Sequence, residues 1–215
     1  GKALSQSGGH ADFRPRNDDL DACSCAYKLG NIGRVVDGVD ACRLAVREEI
    51  LKGASQIKVM ASGGAASPND PIGNLGYSEA ELRAIVEEAG NANTYVMAHA
   101  YTPRAIARAV RCGVRTIEHG NLVDAPTAEL MAEQGAYMVP TLITYEGLAN
   151  EGERYGLPAA SIAKIESVRG QGRQAIEILA RAGVKMGLGS DLLGETHPLQ
   201  SDELRLRADI LGNGP

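Results

Sequence analysis

The feature that most constrains the fold is a regular alternation of short apolar runs with longer amphipathic segments, beginning at Val39. The connections between them are short. The runs with strand character are QIKVMASGG (56–64), TYVMAHAY (94–101), VRTIEHG (114–120), AYMVPTLITY (136–145) and VKMGLGSD (184–191). This alternation predicts an α/β fold whose parallel strands are joined by right-handed crossover helices. A closed (β/α)8 barrel and an open doubly wound sheet both satisfy it.

Helix-start signals support this interpretation. Ser78 with Glu81 three residues later forms a predicted capping box, and Thr102 followed by Pro103 predicts another helix N-terminus. No strand runs into a G-x-G-x-x-G helix start, so a dinucleotide-binding fold is not favoured, and no Walker motif is present.

Composition narrows the classes of partner. The 215 residues carry a net charge of -5, which argues against nucleic acid as a partner, and no apolar run approaches the ~18 residues that span a bilayer. The four cysteines, Cys23, Cys25, Cys42 and Cys112, lack the spacing of a zinc knuckle, and we expect reduced thiols and a cytoplasmic location.

Four chemically active side chains stand at or near the ends of predicted strands: Lys58, His99, His119 and Asp191. Parallel strands bring their C-terminal ends to one rim, where (β/α)8 barrels carry their active sites. With a side-chain period of two, His99 is expected to share a face with Met97, and His119 with Ile117. In a barrel, the four would converge in its mouth.

The residue types indicate a metal site. Two imidazoles and a carboxylate suit Zn²⁺, and a neutral buried lysine amine can take up CO₂ to form an anionic carbamate that bridges two ions. A bridging hydroxide would then be the nucleophile, with Asp191 as general base. Taken singly, each residue also fits a structural role: a hydrogen-bonded histidine, a salt-bridged lysine or a helix N-cap.

Six segments resemble the amidohydrolase superfamily, especially metal-dependent dipeptidases related to prolidase and to Xaa-Arg or Xaa-Lys carboxypeptidases. Imidazolonepropionase is a more distant likeness. The segments are SGGHAD (7–12), IKVMASGG (57–64), YSEAELRAIVEEA (77–89), VMAHAYTPRAIARAVRCGVRTIEHGNLVD (96–124), YMVPTL (137–142) and AGVKMGLGSD (182–191).

The resemblance implies a (β/α)8 TIM barrel with a binuclear zinc site. Lys58 would be the carboxylated bridging lysine, His99 and His119 would bind the second metal, and Asp191 would bind the first metal and carry the proton. His10 and Tyr101 would line the substrate pocket, although a structural turn histidine is nearly as good an interpretation of His10. A homo-oligomer is expected from the resemblance alone.

The chain also departs from the family pattern. The family's first barrel strand ends in His-x-His, and no His-x-His occurs here. We therefore expect residues 1–215 to form one partial barrel domain, roughly strands 3 to 8, without the family's small flanking β-sandwich.

The leading expectation is a metallopeptidase-like hydrolase that cleaves the amide bond of a dipeptide or N-acyl amino acid. A cyclic-amide hydrolase and a catalytically incomplete barrel fragment remain as alternatives, and a phosphate nest at ASGGAAS (61–67) is weaker. The stretches 61–78 and 144–161 are expected to be loops that shape the pocket.

Overall fold

The computed structural model describes residues 1–14, 32–67 and 70–212, and Cys23 and Cys25 lie outside them. Its centre is a six-stranded sheet in the order β2-β1-β3-β4-β5-β6, and all strand pairs are parallel. The strands are β1 (Ala3–Ser5), β2 (Gly33–Val35), β3 (Ile57–Met60), β4 (Val96–Ala100), β5 (Thr116–His119) and β6 (Tyr137–Val139). The predicted parallel α/β architecture is therefore confirmed.

The helices follow the strands as predicted. They are α1 (Val39–Leu51), α2 (Glu79–Asn91), α3 (Pro103–Arg111), α4 (Ala125–Glu133), α5 (Leu142–Glu151), α6 (Ala159–Arg181) and α7 (Asp202–Leu211), with a 3₁₀ helix at Gly194–Ser201. Ser78 and Glu81 form the predicted capping box, and the Thr102 side chain accepts a hydrogen bond from the Ala105 N–H. In the described part of the chain, no helix has the length and apolarity needed to cross a bilayer.

Strand register separates the two faces of the sheet. Met60 pairs with His99, which pairs in turn with Glu118, so these side chains share one face. The opposite face carries Val59, Ala98 and Ile117, all fully buried with the helices in the main hydrophobic core. The helices thus cover one face, and the polar side chains line the other.

Two predicted strands differ in the structure. The run AYMVPTLITY forms a strand only to Val139, and α5 begins at Leu142, so the first part of the stretch 144–161 is helical rather than loop. Pro140 has no N–H to donate to a ladder and lies between the two elements. The run VKMGLGSD pairs with β6 through one bridge, Met138 to Met186.

Candidate active site

Histidine rings meet at the C-terminal ends of β4 and β5. The ring centroids of His99 and His119 are 4.6 Å apart, and His10 stacks on His99 at 4.4 Å. Tyr101 packs edge-on against His99 at 4.8 Å and stacks on His119 at 5.4 Å. The structure therefore brings together four of the side chains predicted from the sequence.

His119 reaches this cluster by a departure from strand geometry. Simple alternation places it on the helix-covered face with Ile117, so the expectation that those two residues share the site face is wrong. His119 has φ 78°, in the left-handed region, which turns its side chain to the site. A non-glycine residue in that conformation is strained and often marks a functional position.

Asp191 has the same unusual backbone, with φ 51°. Its Oδ2 atom lies 3.9 Å from Nε2 of His119, and its side chain is 59% exposed. The Thr144 hydroxyl donates to the Asp191 carbonyl at 3.1 Å and so ties this segment to α5. Asp191 therefore stands at the open side of the histidine cluster.

One nitrogen of each strand-end imidazole is held by an oxygen. Nε2 of His99 lies 3.0 Å from the Gly63 carbonyl oxygen, and Nδ1 of His119 lies 2.7 Å from Oγ1 of Thr141. These contacts orient the rings and leave Nδ1 of His99 and Nε2 of His119 as the candidate ligating atoms. Burial lowers the pKa of both histidines well below the ordinary value, which keeps the imidazoles neutral.

Lys58 lies on the same face as His99 and is partly buried. Burial lowers the pKa of its amine, whereas the charges of Glu118 and Asp191 act in the opposite direction. Burial in turn raises the pKa of Glu118, and the Lys58 charge partly offsets this. The Lys58 amine thus interacts electrostatically with the carboxylates of Glu118 and Asp191.

A tyrosine pair forms one wall of the cluster. The Tyr145 hydroxyl donates to the Tyr101 hydroxyl at 2.8 Å, and the Tyr145 ring centroid is 6.1 Å from that of His119. Burial also lowers the pKa of His10, which stacks on His99, to about 4, assisted by the charges of Lys164 and Lys58. Nδ1 of His10 is buried without a hydrogen-bond partner.

These residues fit a divalent metal in their chemistry. A ligating histidine normally has its second ring nitrogen held by an oxygen, as both His99 and His119 do here. Within the described ranges, no three His, Cys, Asp or Glu side chains are grouped so that they could hold a metal by themselves.

Sequence reasoning did not identify four residues that support the site: Thr141, Tyr145, Glu118 and Glu203. The available signal for Thr141 was a threonine after the strand-ending Pro140, because threonine is a favoured N-cap residue. Glu203 is fully buried, and it accepts a hydrogen bond from the Ile143 N–H at 2.8 Å, which satisfies the first turn of α5. No sequence pattern pointed to that long-range contact.

The chain belongs to the amidohydrolase family, whose family model matches residues 14–209. The prediction of an incomplete barrel of amidohydrolase type is consequently confirmed.

Its relatives include an ochratoxinase, a prolidase and a Xaa-Pro dipeptidase. Ochratoxinase from Aspergillus niger is 37% identical over 199 residues, which is 89% of this chain and 41% of that protein. A prolidase complexed with N-methylphosphonate-L-proline is 68% identical, with a TM-score of 0.95, over 99% of this chain and 52% of that one. A Xaa-Pro dipeptidase with bound methionine is 29% identical, with a TM-score of 0.86, over 100% of this chain and 52% of that one. This chain thus spans about half the length of these relatives.

Proposed function

We propose that the protein to which this chain belongs is a binuclear metallohydrolase that cleaves the amide bond of a dipeptide or N-acyl amino acid. One observation carries the proposal: an oxygen atom contacts one ring nitrogen of each of two neutral imidazoles. The Gly63 carbonyl contacts His99, and the Thr141 hydroxyl contacts His119. Metal-ligating histidines normally have this arrangement, because it fixes both the tautomer and the ring orientation.

The proposed ligands are His99, His119, Asp191 and a carboxylated Lys58, with zinc as the metal. A lowered amine pKa supports carboxylation, since only the neutral amine adds CO₂. Bound divalent ions would polarise the scissile carbonyl and lower the pKa of a water molecule. The binuclear centre, its zinc and the carbamate rest on the family resemblance together with this chemistry.

Asp191 is assigned the proton transfer. Its carboxylate is exposed on the open side of the cluster, where it can take a proton from the attacking water and give it to the departing amide nitrogen. Burial keeps the neighbouring His119 imidazole neutral, so it does not form an ion pair with the Asp191 carboxylate. His10 and Tyr101 are assigned to the substrate pocket.

The first substrates to test are Xaa-Pro dipeptides and N-acyl-prolines. The prolidase that is 68% identical to this chain is complexed with N-methylphosphonate-L-proline, a proline derivative substituted on nitrogen. The A. niger relative, ochratoxinase, supports a wider choice of amides.

The remaining assignments are also proposals. Cys42 and Cys112 are buried free thiols, which is compatible with the reducing conditions of the cytoplasm. That residues 1–215 form one partial barrel domain and that the protein is a homo-oligomer stay predictions from the resemblance.

The test uses the full-length protein that contains this chain. We expect metal analysis to find divalent ions in the wild type, and a panel of dipeptides and cyclic amides to show turnover of the dipeptides. Lys58→Ala should lower both metal content and turnover, the latter by roughly 100-fold or more. The control is Lys185→Ala, which removes an exposed lysine. Unchanged metal content and turnover in Lys58→Ala would exclude the carbamate, and turnover of cyclic amides alone would exclude the dipeptidase.

A further inference from the structure

A lysine on α6 holds the backbone segment that follows β3. The Lys164 ammonium donates to the Gly64 carbonyl at 2.8 Å, to the Asp70 carbonyl at 3.3 Å and to the Ser67 carbonyl. Three backbone oxygens therefore converge on a side chain that has three N–H donors. One turn earlier on α6, the Ser161 hydroxyl donates to the Ala66 carbonyl at 3.1 Å.

The same backbone segment also contacts the histidine cluster. The Gly63 carbonyl oxygen lies 3.0 Å from Nε2 of His99, and the Ser62 hydroxyl accepts from the Tyr101 N–H at 3.3 Å. A Cβ atom at residue 64 would lie 1.8 Å from Nδ1 of His10, so only glycine permits this close approach. Movement of the segment would therefore disturb three side chains of the site.

One peptide group connects the two sides directly. The carbonyl between residues 64 and 65 accepts the hydrogen bond from Lys164, and the Ala65 N–H of the same peptide interacts with the Tyr101 hydroxyl, which counteracts the rise in the pKa of that hydroxyl caused by burial. A peptide unit is planar and rigid, so fixing the carbonyl also fixes the direction of the N–H. The Tyr101 hydroxyl also accepts a hydrogen bond from the Tyr145 hydroxyl.

We propose that Lys164 is a positioning residue that holds residues 63–65 against His99, His10 and Tyr101 and so preorganises the metal and substrate sites. Lys164 touches neither substrate nor metal in this role. It acts through the Gly63 carbonyl on the orientation of the His99 ring, and through the Ala65 N–H on Tyr101. The effect of Lys164 on catalysis rests on the proposed function. The immobilisation of residues 63–65 by Lys164, here called the clamp, can be tested without it.

The test compares Lys164→Met with the wild type in the full-length protein, by hydrogen exchange of the amides of residues 61–67 and by titration with Zn²⁺. We expect amide exchange there to accelerate roughly tenfold, and zinc affinity and kcat to fall by roughly 10- to 100-fold. Arg181→Met is the control, because it removes a positive charge from the exposed end of the same helix. It should change neither measurement.

Lys164→Arg keeps the charge but replaces the ammonium by a planar fork that fits three converging carbonyls poorly. We expect intermediate exchange and affinity. If Lys164→Met does not fold, wild-type exchange and zinc affinity in Lys164→Arg would overturn the proposal.

Two outcomes separate this proposal from the proposed function. A wild type that hydrolyses dipeptides, with a Lys164→Met variant unchanged in exchange and zinc affinity, would refute the clamp alone. A wild type without amide hydrolysis, with faster exchange in Lys164→Met, would support the clamp and refute the function.

Discussion

Oγ1 of Thr141 lies 2.7 Å from Nδ1 of His119, and both atoms are buried. Thr141 immediately precedes α5, and the first turn of that helix is held by the buried Glu203 carboxylate through the Ile143 N–H. Glu203 is itself paired with Arg207 on α7, with an Nε to Oε1 distance of 3.0 Å. The orientation of His119 therefore depends on contacts between two helices distant in sequence.

Replacement of Thr141 tests this dependence. Thr141→Val keeps the shape of the side chain but removes the hydroxyl, so the His119 ring loses the contact that fixes its tautomer. We expect metal affinity and kcat/KM to fall by roughly 10- to 100-fold, and the unfolding free energy to fall by about 1 to 3 kcal/mol because a buried ring nitrogen is left unpaired. Metal titration and urea unfolding measure the two effects.

Thr141→Ser is the matched control for this substitution, because it retains the hydroxyl and removes only the methyl group. Its metal affinity should stay close to that of the wild type. Equal metal affinity in the valine and serine variants would show that the hydroxyl does not orient His119.

Local sequence signals were sufficient to place the histidines at the end of the sheet. The strand ending at His99 and the Thr102-Pro103 helix start that follows it both appear as predicted. Alternation alone, however, puts His119 on the wrong face. Its positive φ arises where β5 turns toward Gly120, and a pattern of period two cannot express such a local reversal.

Tyr145 shows a second limit of local signals. The residues Leu142, Ile143 and Thr144 have strand character, yet they form the first turn of α5. Short apolar runs do not distinguish strand from helix, and here a buried carboxylate from α7 caps the helix and favours it. Since that contact joins residues 60 positions apart, the sequence near Tyr145 contains no signal for it.

The hydroxyl pair of Tyr145 and Tyr101 gives a second prediction. The donor and acceptor oxygens are 2.8 Å apart and both rings are buried, so Tyr145→Phe leaves the Tyr101 hydroxyl without this donor. We expect a loss of about 1 kcal/mol in unfolding free energy, and an increase in KM that exceeds the decrease in kcat, because the pair lines the proposed pocket.

A double-mutant cycle with Tyr101→Phe isolates the pair. The two single effects should not add, with a coupling energy of about 0.5 to 3 kcal/mol. The control pairs Tyr101→Phe with Tyr155→Phe, whose ring is exposed and lies against Arg154. Coupling no larger than in that control cycle would show that the hydroxyl contact has no energetic role.

Glu49 on α1 gives a prediction about pH. Its side chain is almost fully buried and accepts hydrogen bonds from the Lys2 N–H at 2.8 Å, from Lys52 at 3.1 Å and from Arg34 at 3.2 Å. Burial by itself would raise the pKa of Glu49, but the hydrogen bonds outweigh it and the pKa lies below its ordinary value of 4.5. A depressed carboxylate pKa contributes stability above that ordinary value and loses it as the pH falls through the folded-state pKa.

We therefore expect Glu49→Gln to lower the unfolding free energy by about 1 to 3 kcal/mol at pH 7, and the difference from the wild type to shrink as the pH falls below 4.5. Urea unfolding at a series of pH values measures this. Glu48→Gln is the matched control, because Glu48 also pairs with Arg34 but has a side chain 41% exposed, and such pairs contribute little. A wild-type advantage over Glu49→Gln that persists unchanged into acid would mean that the buried carboxylate is not the source of this pH dependence.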